Sequence, residues 1–335
     1  MFRSDLISAV AVEDVGGSAD DFFDFELGIE KLTDAGPDGM HEFAAIVNFF
    51  IAAAFNDRER WQKRDAICAM TGDGVNDAPA LKKAEIGCAM GITGTDVSKE
   101  AADMILTDDN FSTIVSAVRE GRGIYDNIRK CVKYLLSSNI GEVITIFVAS
   151  LISAFGIIEF GTPLAAMHLL WINLITDSLP AFGIGMEEVE DEIMNSKPRS
   201  KREGFFANGY AWKICIEGVI IGLVTLLAYA IGHQISHMVG QTMAFLTLSS
   251  TQLFHAYNVK SEHSVFSKKS YKNRFMNFAF IAGFLLQIFV IYCPGVRNLF
   301  KFTPLNFTNF IICVGLSLIM VIIMEVIKLI NKIKS

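Results

Sequence analysis

The sequence predicts an α-helical membrane bundle of six transmembrane helices, preceded by a partial α/β domain. Of 335 residues, 52% are hydrophobic and the mean hydropathy is +0.40, which is too apolar for an ordinary soluble domain. After residue 130 the chain contains six apolar stretches, each long enough to span a bilayer or nearly so. Before them, residues 66–109 alternate short apolar strands with short helices, which is typical of a parallel sheet. The predicted spans are 131–155, 163–186, 211–232, 241–258, 275–293 and 307–330.

The first span continues a charged helix that we predict from Gly121 to Phe155, a stretch without proline. Such a helix is roughly 50 Å long, enough to begin in water and cross an apolar core roughly 30 Å thick. Glu142 lies in its apolar half, with Asn139 on the same helix face. Because a carboxylate at that depth is costly, Glu142 indicates an ion path or a paired site.

The second span carries a matching polar set on one helix face, namely Asn173, Thr176 and Asp177. Two neighbouring helices would then offer carboxylate and amide oxygens to a common site. Hard cations such as Ca²⁺ take six to eight oxygen ligands. A buried polar network or a hydrogen-bonded helix pair without an ion is the alternative, and the residues alone leave both open.

Charge and cysteine content exclude several classes of function. The first fifty residues contain eleven acidic and two basic residues, and the remaining chain has a net charge of about +2. A nucleic-acid partner is therefore not expected. The six cysteines are scattered without a CxxC or metal-binding spacing, and we interpret them as reduced filler residues.

Basic residues also predict the orientation of the six spans. Four lie in the connection 187–210 and five in 259–274, whereas the opposite connections hold two in total. The positive-inside rule then places both termini in the cytosol. We expect a multi-pass membrane protein, in the plasma membrane if the chain is bacterial.

The α/β part contains three predicted strands, at Ala66–Met70, Ile86–Met90 and Met104–Leu106, with a helix at Thr95–Ala102. Three strands are too few for a complete doubly wound domain. The first strand leads into the loop Thr71-Gly-Asp-Gly-Val-Asn-Asp-Ala-Pro79.

Asp73 and Asp77 lie in this loop, at the strand end where ligands bind in open α/β sheets. Mg²⁺ is commonly held by one or two carboxylates together with phosphate oxygens, and this loop offers the protein ligands. The alternative is an Asx-rich turn without a ligand, because turns use the same residue types.

Longer stretches of the sequence resemble a known protein family, and this resemblance favours the magnesium site over a turn without a ligand. The run TGDGVNDAPALKKAEIGCAMGITGTDVSKEAADMILTDDNF resembles the hinge region of P-type ATPases, the phosphorylated cation pumps. The runs REGRGIYDNIRK, SSNIGE and LLWINLITDSLPA resemble their calcium-transporting branch, and the likeness covers roughly residues 61–335. The resemblance implies a partial haloacid-dehalogenase-like (Rossmannoid) phosphorylation domain over residues 61–122. It also implies that residues 123–335 form the fifth to tenth membrane helices, M5–M10.

The same resemblance implies roles for single residues. Asp73 would bind Mg²⁺ beside the phosphoryl group, supported by Asn76 and Asp77, in a pump that uses ATP. Gln252 stands where sarcoplasmic-type pumps have a glutamate, so one of two possible Ca²⁺ sites should be weaker or absent. The positions that bind the transported Ca²⁺ in such pumps correspond to Asn139, Glu142, Asn173, Thr176 and Asp177.

The sequence also departs from the family pattern. It contains no DKTGT phosphorylation motif, nucleotide domain or actuator domain with its TGE loop, and no first four membrane helices. Residues 1–60 form an unassigned acidic segment that looks foreign, and we hypothesise a truncated or frame-shifted gene product. The chain alone should not be catalytically complete. Its expected partners are the lipid bilayer, a divalent cation and the missing N-terminal half of the pump.

A second hypothesis is a non-catalytic six-helix membrane protein that binds a divalent cation or associates with a pump. Under either hypothesis we expect Glu217 and Glu325, near the ends of their spans, to be solvated at the membrane interface.

Overall fold

A computed structural model describes residues 67–156, 159–195, 199, 203–207, 209–261 and 263–334. The acidic segment 1–60 lies outside the described residues. The described chain forms two compact units. One comprises residues 67–118 with Arg199 and Glu203, and the other comprises the remaining described residues from 119 onward.

The first unit contains a three-stranded parallel sheet in the order β1-β2-β3. Its strands are β1 (Ala69–Gly72), β2 (Ile86–Met90) and β3 (Met104–Leu106), and its helices are α1 (Ala78–Lys83) and α2 (Asp96–Ala101). The predicted bounds of the second and third strands are confirmed. The first strand was predicted to end at Met70, which was wrong. Thr71 and Gly72 continue β1, because they pair with Cys88 and Ala89 of β2.

The core of this unit lies between α1 and the sheet. Leu81, Cys88 and Ala89 are at most 1% exposed. A Cβ atom at Gly87 would lie 2.5 Å from the Leu81 carbonyl oxygen, so glycine lets α1 approach β2 closely. Burial, and then Asp103, raises the pKa of the Cys88 thiol, which agrees with an inert filler role.

The long helix α3 runs from Phe111 to Ala154, a length of about 66 Å for its 44 residues. It begins ten residues before the predicted start. Asn110 explains this start, since its side-chain oxygen accepts a hydrogen bond from the Ser112 N–H at 3.0 Å. Glu142 lies in the apolar C-terminal part, as predicted.

The second predicted span is interrupted. It consists of α4 (Ala166–Trp171), a π-helical segment (Ile172–Thr176) and α5 (Ser178–Gly185). The Asp177 N–H donates to the Ile172 carbonyl, five residues earlier, at 2.9 Å. Pro180 has no N–H and cannot donate to the Thr176 carbonyl, which weakens regular helical bonding here. π-bulges are frequent at functional sites.

The remaining helices are α6 (Tyr210–His233), α7 (His237–Val259), α8 (Arg274–Tyr292), α9 (Pro294–Phe300) and α10 (Phe307–Lys334). Among the described residues, four helices are long and apolar enough to cross a bilayer, namely α3, α6, α8 and α10 up to Ile330. The other two predicted spans correspond to the interrupted α4–α5 stretch and to α7. Crossing of the membrane by all six remains a prediction.

Helix α7 is central rather than lipid-facing, because nearly all of its residues are buried. It packs against α6 and α10. The hydroxyls of Thr242, Ser249 and Thr251 donate to backbone carbonyls one turn earlier, as in the 2.7 Å bond from Ser249 to Phe245. Such polar residues make α7 less hydrophobic than its neighbours without leaving it exposed.

Small residues bring α3 and α6 into close contact. A Cβ atom at Gly141 would lie 2.6 Å from Ile221 Cγ2, and one at Gly218 would lie 2.5 Å from Ile140 Cγ2. Gly218 and Gly222 form a GxxxG pattern, which allows close backbone approach of membrane helices. This contact fixes α6 against the part of α3 that carries Glu142.

Candidate functional site

Three separate chain segments meet at the Glu142 carboxylate. Glu142 is 4% exposed. Its Oε2 accepts a hydrogen bond from Asn173 Nδ2 at 2.8 Å, and its Oε1 accepts one from Gln252 Nε2 at 3.2 Å. Asn173 belongs to the π-helical segment and Gln252 to α7. The site is therefore assembled by packing of α3, the broken helix and α7.

Asp177 forms the second half of this arrangement and is fully buried. Its Oδ1 accepts a hydrogen bond from the Tyr134 hydroxyl at 2.9 Å. Within the described part of the chain, Asp177 Oδ2 and Gln252 Oε1 have no hydrogen-bond partner. Asp177 directly follows the π-helical segment whose Asn173 donates to Glu142, so the two carboxylates belong to one region. Buried oxygens without partners are costly, and a bound cation would supply the missing interaction.

The break in the second span positions its polar residues. Thr176 is 1% exposed and ends the π-helical segment, directly before Asp177. Asn173 is exposed at one edge and also donates to the Leu169 carbonyl at 3.0 Å. The π turn therefore presents an amide, a hydroxyl and a carboxylate next to a backbone carbonyl that Pro180 leaves without its usual donor.

Asn139 lies apart from this group. It is exposed, and its Nδ2 donates to the Leu135 carbonyl of its own helix at 2.9 Å. Helical spacing thus puts Asn139 on the predicted helix but does not by itself bring its side chain to Glu142. Its role as a calcium ligand stays a prediction.

Sequence reasoning missed Tyr134, whose hydroxyl holds Asp177 across the helix interface. The available signal was its position eight residues before Glu142, near the same face of α3. Tyrosine is usually bound through its hydroxyl when buried, so a fully buried tyrosine near a carboxylate is a reasonable partner.

The prediction of an interfacial Glu217 was wrong. Glu217 is 4% exposed, and its Oε1 forms an ion pair with Lys133 Nζ at 2.7 Å. Its Oε2 lies 3.5 Å from His255 Nε2. Burial by α3 and α7 removes the side chain from water, and the lysine compensates its charge. Ser137 lies 2.9 Å from the same imidazole nitrogen.

Glu325, predicted to be solvated at the membrane interface, is half-buried. Its carboxylate accepts hydrogen bonds from the Val265 N–H at 2.8 Å and the Ser264 hydroxyl at 2.5 Å. Glu325 therefore ties α10 to the connection between α7 and α8. Folding of that connection onto α10 is a tertiary event, which explains why helix position alone suggested solvation.

The loop after β1 is shaped by Asp77. Its Oδ2 accepts hydrogen bonds from the backbone N–H of Asp73 at 3.2 Å and of Gly74 at 2.9 Å. A Cβ atom at Gly72 would lie 2.5 Å from Asp77 Cβ, so the turn requires glycine there. One Asp77 oxygen is thus committed to loop structure.

Asp73 is held by its backbone and leaves its carboxylate available. Its carbonyl accepts from the Thr95 N–H at 2.8 Å and from Ser98 Oγ at 3.0 Å. Among the described residues the Asp73 carboxylate has no hydrogen-bond partner, and Asn76 is exposed. Asp73 is therefore the residue of this loop best suited to bind Mg²⁺.

A second loop of the same unit is fixed by Asp109, which has a left-handed backbone with φ of 49°. Its carboxylate accepts from the N–H groups of Gly91, Ile92 and Thr93 at 2.6–2.9 Å. The bond from Ile92, with those from Thr93 and Gly91, lowers the pKa of Asp109 despite an opposing effect of desolvation.

Comparison with known proteins gives this geometry its context. Residues 161–330 match the family described as "Cation transporting ATPase, C-terminus". The calcium-transporting ATPase of Bacillus subtilis is 44% identical over 262 residues, covering 77% of this chain and 29% of that protein.

Other relatives extend the match. A calcium-transporting ATPase of Listeria monocytogenes is 42% identical over 278 residues, covering 81% of this chain and 30% of its own length. The human calcium-transporting ATPase type 2C member 1 is 38% identical over 274 residues, covering 81% of this chain and 29% of that protein. The chain thus spans somewhat under a third of the length of these relatives.

These similarities and the four apolar helices describe a multi-pass membrane protein. The family match includes the broken second span, α6, α7 and Gln252, and it extends over half of the chain. The chain therefore belongs to the cation-transporting ATPase family, corresponds to its C-terminal region and is similar to calcium-transporting members of that family.

Proposed function

We propose that this chain is the C-terminal part of an ATP-driven calcium-transporting P-type ATPase. It would supply the magnesium-binding hinge loop and the membrane cation site, without being catalytically complete by itself. The observation that carries the proposal is the buried Glu142 carboxylate, held by amides from two other segments beside Asp177. Calcium-transporting relatives support the choice of ion.

The ligand chemistry suits Ca²⁺. The carboxylates of Glu142 and Asp177 provide charge, and the amides of Asn173 and Gln252 can each turn an oxygen toward a cation. In the structure these amides donate N–H groups to Glu142. Binding would therefore exchange amide-to-carboxylate hydrogen bonds for direct oxygen ligation, with Thr176 as a neighbouring oxygen donor. Mn²⁺ prefers similar oxygen ligands.

The hinge loop after β1 would serve the phosphoryl-transfer step rather than cation binding. Asp73 would hold Mg²⁺ beside a phosphoryl group, where the metal offsets developing negative charge. Asp77 would keep the loop in shape through its hydrogen bonds to the Asp73 and Gly74 N–H groups. Helix α3 begins after the β3 strand and carries Glu142, so one continuous helix connects the two functions along the chain.

Calcium binding to the purified full chain in lipid nanodiscs tests the membrane site. Asp177→Asn removes one charge with little change in size, and we expect about a 100-fold weaker affinity, equivalent to about 2.7 kcal/mol. The matched control is Asp96→Asn, the same chemical change at an exposed position of α2. Equal affinities of the wild-type and Asp177→Asn chains would remove Asp177 from the site.

Phosphorylation distinguishes the pump region from a complete enzyme. Incubation of the chain with labelled ATP should give no acid-stable aspartyl phosphate, because the 335 residues contain no DKTGT. Detection of such a phosphoenzyme would contradict this part of the proposal. A passive cation-binding membrane protein, the second hypothesis, is favoured if calcium binds but a supplied N-terminal pump region never restores ATP-dependent transport.

A further inference from the structure

A second group of metal-ligating side chains lies away from Glu142 and Asp177. Glu190 and Glu192 come from the connection after α5, and His263 comes from the connection between α7 and α8. One ligand atom from each of the three lies within 4.8 Å of the others. We call Glu190, Glu192 and His263 the loop cluster. It borders a cavity of about 430 Å³ that Ser261 and Asn273 also line.

We propose that the loop cluster binds a divalent transition-metal ion, with Zn²⁺ as the best chemical match. An imidazole nitrogen with two carboxylate oxygens suits zinc and similar borderline ions, whereas Ca²⁺ and Mg²⁺ prefer oxygen ligands alone. Three protein ligands with a fourth position for water form a common zinc arrangement. The site is thus chemically distinct from the all-oxygen membrane site.

The three ligands are available for a metal. Within the described residues, neither the Glu192 carboxylate nor the His263 ring has a hydrogen-bond partner. Glu190 uses Oε1 to accept from Lys130 Nζ at 3.1 Å and from Ser261 Oγ at 3.0 Å. Its second oxygen, Oε2, is left for a metal.

The nearby lysine does not neutralise the cluster. Lys130 pairs with Asp126 at 2.7 Å as well as with Glu190, so two carboxylates share its single charge. Arg119 and Lys272 also line the cavity, but among the described residues neither forms an ion pair with Glu190 or Glu192. Glu192 is exposed. The cluster therefore keeps negative charge that a divalent cation would compensate.

Both connections that carry the ligands are anchored. Lys328 of α10 donates to the carbonyls of Ser261 and His263, each at 2.8 Å. On the other side, the Glu187 carboxylate pairs with Lys260 at 3.1 Å and accepts from Asn273 at 2.9 Å. Anchored ligands lose little freedom on binding, so the site is partly preorganised.

Only a small movement is needed to complete coordination. Zinc holds nitrogen and oxygen ligands at about 2.0–2.2 Å, so two ligand atoms on one ion lie at most about 4.4 Å apart. The exposed Glu192 can supply the difference by rotating its side chain. A bound metal would then join the connection after α5 to the connection before α8.

Co²⁺ is a suitable spectroscopic probe, because its visible absorption reports on coordination, and Zn²⁺ competition then gives affinities. We expect the full chain in nanodiscs to bind Co²⁺ at this site and to lose it to Zn²⁺. His263→Ala and Glu192→Gln should each weaken binding about tenfold or more, since even the loss of an outer-shell partner weakens metal sites 10–100-fold.

Two controls make this result specific. Glu188→Gln changes the same charge in the same connection at a side chain that is 80% exposed, and should leave Co²⁺ affinity within about twofold. Glu142→Gln should leave the Co²⁺ spectrum unchanged if the site is separate from the membrane site. Equal Co²⁺ affinity in the wild-type, His263→Ala and Glu192→Gln chains, or a loss in Glu188→Gln as large as theirs, would overturn the proposal.

Discussion

Asp73 and Asp77 lie four residues apart in one loop, whereas Glu142 and Gln252 are 110 residues apart and meet only through helix packing. The loop pair is organised by its own backbone, since Asp77 accepts from the N–H groups of Asp73 and Gly74. The membrane group is organised by side chains from three segments that replace the lost solvation of a buried carboxylate.

This difference predicts how each site responds to substitution. A locally built site should depend on turn geometry and tolerate changes in distant helices. A site assembled across helices should depend on every contact that holds those helices together. The experiments below test that separation, with hydrogen exchange of residues 73–77 reporting on the loop and calcium affinity reporting on the membrane site.

The largest effect is expected for Glu142→Gln, which removes the carboxylate at which α3, the π-helical segment and α7 meet. Calcium affinity should fall about 100-fold or more, equivalent to about 2.7 kcal/mol. Hydrogen exchange of the loop should not change. Isothermal titration calorimetry in nanodiscs measures the affinity, and a loss below about threefold would argue that Glu142 is not a ligand.

Gly218→Ala tests the helix contact that supports the membrane site. Its Cβ would meet Ile140 Cγ2 at 2.5 Å, so α6 must shift away from α3. We expect destabilisation of about 2–3 kcal/mol from overpacking, with weaker calcium binding and an unchanged loop. Gly121→Ala in α3 is the control, because no atom lies within 4 Å of its added Cβ. Equal thermal midpoints of the two variants would contradict close packing at Gly218.

Gly72→Ala is the reciprocal experiment. The new methyl group would lie 2.5 Å from Asp77 Cβ and displace the side chain that shapes the loop. We expect a local cost of about 1–2 kcal/mol, seen as faster hydrogen exchange at Asp73 and Gly74. Calcium affinity should stay at the wild-type value. Slow exchange in the variant would show that Asp77 does not organise the turn.

Gln252→Glu should have a smaller and ion-dependent effect. The substitution removes the N–H donor to Glu142 Oε1 and adds a carboxylate to a buried group that already contains Glu142 and Asp177. Without calcium we expect a loss of about 1 kcal/mol, because a hydrogen bond is replaced by repulsion. Calcium should recover this loss, since an added carboxylate is an added ligand. Thermal unfolding with and without Ca²⁺ measures both; a calcium-independent loss would contradict the ligand role.

The smallest effect concerns pH and the Asp109 loop. The pKa of Asp109 is depressed below its ordinary value of 3.8. The ionised carboxylate therefore stabilises the loop fully above pH 3.8. The contribution is lost as pH falls through the depressed pKa in the folded state. Hydrogen exchange of Gly91, Ile92 and Thr93 should therefore accelerate below about pH 3.8, and Asp109→Asn should remove the pH dependence. An unchanged pH profile in that variant would exclude the mechanism.

Much of this arrangement was predictable from the chain. Apolar length and the strand–helix alternation predict the membrane helices and the small parallel sheet, because both depend on local periodicity. The loop after β1 was also identified, since Gly72 and Asp77 act on neighbouring backbone. Buried acidic residues at 142 and 177 could be singled out because charge in an apolar helix is costly wherever it occurs.

Tertiary structure decided the rest. Pairing with β2 extended the first strand to Gly72, and packing by α3 and α7 buried Glu217 against Lys133. Tyr134 became the partner of Asp177, while Asn139, on the expected helix, bonded its own backbone. The physical reason is that helical periodicity fixes the face on which a side chain starts, but partners are chosen by which segments, far apart in sequence, pack beside that face.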